Sequence, residues 1–348
     1  MTSTKLPERC RRPRLKPVMV HPRSPLAFAI LGVSTLDRAL AFYRDVIGLD
    51  ASPEVRWRGA AFETHFDLPP GSSARAVMFS FDRGACKGVG RVLALEFDAK
   101  DRKTIPKKGD RTYRGLWNLN FYVDDIRATT KQLQAKGYDF WSEPVGYEVS
   151  AKAGAPVEVL FDGPDGLAIN LVELTGGPDT TIGRLREKVA ALGKTAKGFT
   201  PVSTTSHSIV DHGKALAFYR DVLGMEVVID DVLDKPATNH FLNRPAGART
   251  RATFVAGGHE FGKIALSHPL NYSVENKIPL AVPPNIGYLA QSFAVPSLDT
   301  AAVKCAEIGA DPFSPPLDIE IPGVGCTRAM IVRNPGSGAL MQMFEAVR

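Results

Sequence analysis

Short stretches in which apolar and polar residues alternate are followed, repeatedly, by stretches in which apolar residues recur at helical spacing. The first run, 26–33, is almost wholly apolar and reads as a buried strand. After it Leu36, Leu40 and Tyr43 share one face of a helix that Gly48 closes. Strands are predicted near Val55 and over 74–81 and 91–97. The order then starts afresh, with a strand at 116–123, a helix at 126–135 stopped by Gly137, a turn from Asp162 to Gly166 and a strand at 167–174. It recurs with a strand at 204–210 and a helix through Tyr219, and again with a strand at 288–295, a helix at 298–308 and a strand at 339–344. The chain reads as α+β, built from four βαβββ modules. Ile182, Leu185, Val189 and Leu192 predict a further helix at 180–193, between the second and third modules.

The pattern is an internal duplication. LAFYRDVIG at 40–48 returns as LAFYRDVLG at 216–224; Gly71 and Arg75 map on Gly247 and Arg251, and later Val123, Gly137, Pro144, Asn170 and Glu173 map on Val295, Gly309, Pro316, Gln342 and Glu345. The expected organisation is a tail at 1–25, a first domain at 26–177 (modules 26–104 and 114–177), a connector at 178–200, and a second domain at 201–348 (modules 201–275 and 284–348). If each half pairs internally, one chain suffices as a monomer, and a homodimer remains open.

Charge changes the picture less than its total suggests. The net charge is +6, yet seven basic residues against Glu8 in 1–25 account for all of it, and the remaining chain is balanced. This describes a Pro- and Arg-rich tail expected to be disordered, with no argument for nucleic acid. No run approaches the apolar length of a membrane span, and the tail lacks the apolar segment of a secretory signal. Cys10, Cys86, Cys305 and Cys326 lie far apart with no CxxC, which fits a reducing cytoplasm.

A helix ending in Phe-Tyr-Arg-Asp-Val-Leu-Gly after a strand, followed by a turn like Asp162-Gly-Pro-Asp-Gly166 and a strand that ends in Glu, resembles the vicinal oxygen chelate superfamily. That group includes glyoxalase I, extradiol dioxygenases, bleomycin-resistance proteins and methylmalonyl-CoA epimerase. The resemblance covers about 26–348 and implies modules paired into two cupped mixed sheets, each cup holding a divalent metal on ligands from first and last strands. The positions it assigns to those ligands are Phe28, Thr204, Asn118, Ala290, Asn170 and Gln342, none of them His or a carboxylate. The resemblance therefore points to a cup without its usual metal, since amides are poor substitutes for imidazole and carboxylate.

The residues leave several chemistries open. Period-two counting puts Asn118, Asn120 and Tyr122 on one strand face with Asn170 on the neighbouring strand, a set able to hold a carbonyl or phenol oxygen. Aligning Gly90-Arg-Val with Gly262-Lys-Ile places Glu96 opposite His268, and either is a candidate acid or base; His240 is a third. His65 and His240 are one column out of register between the repeats, so only one is expected to line a cup. Thr204, Ser206, Ser208, Ser292 and Gln342 are expected to share the second cup. The aromatic residues of the first half, including Trp117 beside Asn118, suit a flat or aromatic ligand. A displaced metal on His207, His268 and Glu345 is the alternative, although alternation puts His207 and Glu345 on the face opposite Thr204 and Gln342. Gly257 to Lys263 spells GxxxxGK but lacks the following Ser/Thr and helix, and reads as a hairpin turn. The expectation is a lyase or isomerase moving a proton on a small carbonyl or aromatic compound, with a non-catalytic binder and a metal-dependent dioxygenase-like enzyme as alternatives.

Overall fold

The computed structural model describes residues 21, 23–106 and 113–346. In each module an opening strand leads into a helix and a meander, and a closing strand returns to lie parallel beside the opening one. The opening strands are Leu26–Gly32, Tyr113–Tyr122, Thr204–Ser208 and Gly287–Val295, and the closing strands are Arg91–Phe97, Ala168–Leu174, Lys263–Pro269 and Leu340–Glu345. Each first helix is capped by a side chain that accepts from an amide of its first turn: Thr35, Asp125, Asp211 and Ser297. The duplicated nonapeptide gives the same local structure twice, a short α-helix widening into a π-helical turn at Leu40–Arg44 and at Phe218–Val222. The connector helix forms at Thr181–Leu192.

Module pairing is crossed, which corrects the expectation that each half closes on itself. Leu26–Gly32 runs antiparallel to Gly287–Val295, and Thr204–Ser208 runs antiparallel to Tyr113–Tyr122. Modules one and four thus share one nine-stranded sheet and modules two and three the other, counting the described residues. We call these the outer and the inner cup. The halves 26–177 and 201–348 each give one module to each cup. The four opening strands are buried almost throughout and differ in composition, so no local pattern in them names the strand they join.

A ring of four backbone hydrogen bonds holds the crossing. Leu26 N donates to Gly262 O (2.9 Å), Gly262 N to Val202 O (3.1 Å), Val202 N to Gly90 O (2.9 Å) and Gly90 N to Leu26 O (2.9 Å). Gly90 and Gly262 have φ of 64° and 74°, and a Cβ on either would fall within 2.8 Å of the facing backbone, so the repeated glycine is required here. The ring also ends the first tail: Ser24 N donates to Leu223 O, and Arg23 pairs with Glu226, so the chain is docked from Arg23 onward and not from residue 26. Residues 1–20 and 22, which carry most of the net positive charge and Cys10, lie outside the described residues.

Behind the cups the convex faces meet helices and each other. Thr205 Oγ1 meets Tyr288 Oη at 3.1 Å, and Tyr219 Oη donates to Gln291 Oε1 at 2.7 Å, joining the inner sheet to the outer one. Cys86 and Cys305 are buried thiols in this layer. Among the described residues no helix is long and apolar enough to cross a membrane.

Candidate functional site

The floor of each cup is one row of residues across four strands, and the two rows correspond. In the outer cup the row is Arg91, Phe28, Ser292 and Gln342. In the inner cup it is Lys263, Thr204, Asn120 and Asn170. A buried cation stands at one end of each row and an amide at the other. Thr204 and Gln342, expected in one cup, are therefore in different cups, because the crossed pairing sets Thr204 against Asn120 and sets Ser292, the neighbour of Gln342, against Phe28.

The outer cup is filled, and His65, Gln342 and Ser292 satisfy one another within it. Phe28, Ser292, Gln342 and His65 are all 0% exposed, among Ile30, Leu93, Ile331 and Phe344. His65 Nε2–H donates to Gln342 Oε1 (2.8 Å), and Gln342 Nε2 donates to Ser292 Oγ (2.7 Å). Burial pushes His65 down to about 4, so it is neutral. Arg91 lies over the Phe28 ring at 5.5 Å and gives one hydrogen bond to Gly323 O; its Nε and Nη2 have no partner among the described residues.

The inner cup is polar, partly open and incomplete. Ser206 and Asn120 keep 8% and 7% exposure. Into it points a carboxylate that sequence reasoning missed, Glu158, on the strand Pro156–Asp162 beside the closing strand. Glu158 Oε1 accepts from Tyr147 Oη (2.8 Å) and Oε2 from Asn170 Nδ2 (2.6 Å). Burial raises its pKa, against the opposing pull of those two bonds and of Arg244. At the other end of the row Lys263 donates to Glu260 O, lies over the Tyr122 ring at 5.8 Å, and is pushed down by burial to about 8. Tyr122 is raised to about 12 by burial while it hydrogen-bonds Thr204 and Ser203. Asn120 Oδ1 and Asn170 Oδ1 are buried with no partner among the described residues, a costly condition that a ligand donor relieves. Asn118 Oδ1, by contrast, accepts from Ser206 N (2.8 Å) beside the register shift of the opening strands. The floor row runs through Asn120, and Asn118 holds the backbone.

The other candidates are elsewhere. Glu96 accepts from Leu36 N (2.7 Å) and Arg75 Nη1 (3.1 Å), outside the cup; Glu173 and Glu345 receive Ile126 N and Leu298 N in the same way, so the repeated glutamate anchors helix N-termini. His268 does align with Glu96, as each faces the matching arginine of the adjacent strand, but it stacks on His212 outside the cup. His240 is exposed, and its partner in the repeat, His65, is the one that lines a cup. His207 lies on the convex face, bonded to Tyr219 Oη (2.7 Å) and Ser337 Oγ (2.6 Å). His207, His268 and Glu345 form no set, and no group of three His, Cys, Asp or Glu positioned for a metal occurs among the described residues.

The duplicated modules, the parallel return of each closing strand and the shared cup floor agree with what the sequence matches. Residues 25–171 match the family described as Glyoxalase/Bleomycin resistance protein/Dioxygenase superfamily. Over that first part of the chain the sequence resembles the vicinal oxygen chelate superfamily. Glyoxalase I from Zea mays resembles it with a TM-score of 0.58 at 16% identity, over 92% of each chain. A putative dioxygenase from Bacillus subtilis resembles it with a TM-score of 0.54 at 14% identity, over 94% of this chain and 86% of that one. Identity this low establishes the glyoxalase/dioxygenase-like fold and leaves the reaction to the site. No curated protein matches the chain.

The metal that this resemblance implies does not fit this donor set. The inner row offers a hydroxyl and two amides with an ammonium at its end, and the outer row a phenyl ring, a hydroxyl and an amide with a guanidinium. The transition metals favour imidazole, thiolate or carboxylate ligands; Glu158 lies off the row and already accepts from Tyr147 and Asn170, and the fixed cation at the end of each row repels a second one.

Proposed function

We propose that the inner cup is an active site for proton transfer beside a carbonyl, a lyase or isomerase step on a small organic compound that uses no metal. The observation that carries this reading is Glu158, a carboxylate of raised pKa bonded on both oxygens and set next to two amide oxygens that have no partner. Each carboxylate oxygen accepts one hydrogen bond and keeps a lone pair for a substrate proton. A raised pKa makes Glu158 a stronger base once ionised, and the Tyr147 and Asn170 bonds fix its orientation. It takes the proton from the carbon beside the carbonyl, the C–H pair moves into the enolate, and Glu158, whose proton exchanges with solvent, returns one to that carbon or its neighbour; in a lyase step the pair instead expels a leaving group from the next carbon. Lys263 at the end of the row gives the floor a positive potential that favours the enolate oxygen. Asn120 Oδ1 and Asn170 Oδ1 accept from a hydroxyl or N–H of the substrate. Glu96, His268 and His240 take no part.

The second reading, a binder that sequesters its ligand, is favoured by the floor row of hydroxyl and amides. Deuterium exchange separates the two. Small ketones and oxo acids incubated with the protein in deuterated buffer are expected to exchange the C–H beside the carbonyl, measured by proton NMR. Glu158→Gln is expected to slow exchange about 10²- to 10⁴-fold while ligand affinity persists. Exchange unchanged in Glu158→Gln overturns the assignment of the base, and binding without exchange in the native chain favours the binder.

A further inference from the structure

Arg244 follows the short helix Pro236–Phe241, where Asn243 takes φ 48° and Arg244 N bonds back to Asn239 O at 2.8 Å. This turn aims the guanidinium into the inner cup, where Nη2 donates to Ser267 Oγ at 3.2 Å. Nε and Nη1 are buried without an acceptor among the described residues, and the groups that act on the guanidinium electrostatically are Tyr272, Tyr147 and Glu158. Glu158 has already given one lone pair on each oxygen to Tyr147 and Asn170. The cup thus contains a fixed cation with two unused donors near its one assigned base, walled by the apolar Leu160, Ala168, Phe241 and Leu242.

Burying guanidinium N–H groups without acceptors is unfavourable, and an anion brought by the ligand removes the penalty. A dianion such as a phosphate ester would bring a second negative charge toward Glu158, whereas a carboxylate brings one. Apolar walls fit a carbon skeleton. We propose that the ligand of the inner cup is a small oxo carboxylate, its carboxylate held by Arg244 with the carbon beside its carbonyl turned to Glu158. This rests on the proton-transfer reading for the role of Glu158 and concerns the ligand class alone.

The test is binding, measured by calorimetry with 2-, 3- and 4-oxo carboxylates and the methyl ester of each. At least one acid is expected to bind the native chain about tenfold or more tightly than its ester. The preference should vanish in Arg244→Met and persist in part in Arg244→Lys. Equal binding of acid and ester, a preference that survives Arg244→Met, or no binding by any acid overturns the proposal. Should Arg244→Met not fold, the fall in preference for Arg244→Lys decides. An acid preference without deuterium exchange supports Arg244 as the anchor and counts against the proton-transfer reading, so the two fail separately.

Discussion

The outer and inner cups descend from one duplicated unit and keep the same row of positions, yet their contents have diverged. In the outer row the strand position facing Arg91 is Phe28, and the far amide Gln342 is held between His65 and Ser292. In the inner row the position facing Lys263 is Thr204, and the far amide Asn170 reaches Glu158 with its Oδ1 unpartnered. A sheet that must cohere can give up one concave face to packing when a second copy retains a concavity. His65, Gln342 and Ser292 of the outer cup are spent on each other and its Arg91 is covered by the Phe28 ring, whereas Asn120, Asn170 and Arg244 of the inner cup keep unpartnered atoms beside Glu158. The difference separates a stabilising role from a ligand-binding one within one scaffold.

The strongest challenge to this comparison is to separate the halves. Because each cup draws one module from each half, a chain of residues 26–177 or 201–348 alone is expected to lack cooperative thermal unfolding, and the two expressed together should recover it. A half that unfolds cooperatively alone would show that the crossing is dispensable. Next in size, Phe28→Ala should cost about 3–5 kcal/mol in denaturant unfolding, as the packed outer cup cannot collapse onto the gap, and ligand binding by the folded fraction should be unchanged. The reciprocal change, Thr204→Phe, places the outer residue in the inner row; it should abolish ligand binding measured by calorimetry while the chain stays folded. Binding that survives would move the ligand away from that row.

Acid sharpens the contrast further. His65 titrates near 4 when folded against an ordinary value of 6.5, so the unfolded chain binds the extra proton between those values. Stability from this group is whole above pH 6.5 and is lost as pH falls toward 4, by up to about 3 kcal/mol. His207, held near 3 by burial and by Arg114, adds to the same slope. Glu158 has the opposite sign: its raised pKa makes folding most favourable below its ordinary carboxylate value, with that contribution lost as pH rises through the folded value. Unfolding followed from pH 4 to 8 should therefore show a shallower acid slope in His65→Gln and, at neutral pH, a Glu158→Gln variant at least as stable as the native chain. A His65→Gln slope equal to the native one would remove His65 from this account.

Much of this was legible along the chain because it is written in periodicity. Four modules, the connector helix at Thr181–Leu192 and the helix starts at Leu36, Ile126 and Leu298 follow from apolar spacing. Alternation also put Asn120, Tyr122 and Thr204 on cup faces and turned His207 away from them. Two things were not legible. The choice of partner for each opening strand depends on contacts between modules more than a hundred residues apart, to which local alternation is blind. Glu158 and Arg244 lie in segments where the resemblance supplies no ligand position; the alternation of Pro156-Val-Glu-Val-Leu-Phe161 was the available signal for Glu158, and for Arg244, in a loop, there was none. Glu96 misled for a plain reason: an acidic residue ending a closing strand is used in three modules to hold a helix start.

The crossed pairing is nested, like one pair of brackets inside another. A chain emerging from the ribosome completes the last closing strand of the inner cup, Lys263–Pro269, while Leu340–Glu345 of the outer cup is still unmade. Leu26–Gly32 must meanwhile wait with an open edge for Gly287–Val295, the longest delay in the molecule. The polar cup thus has all its closing strands first, and the dry one receives its own last.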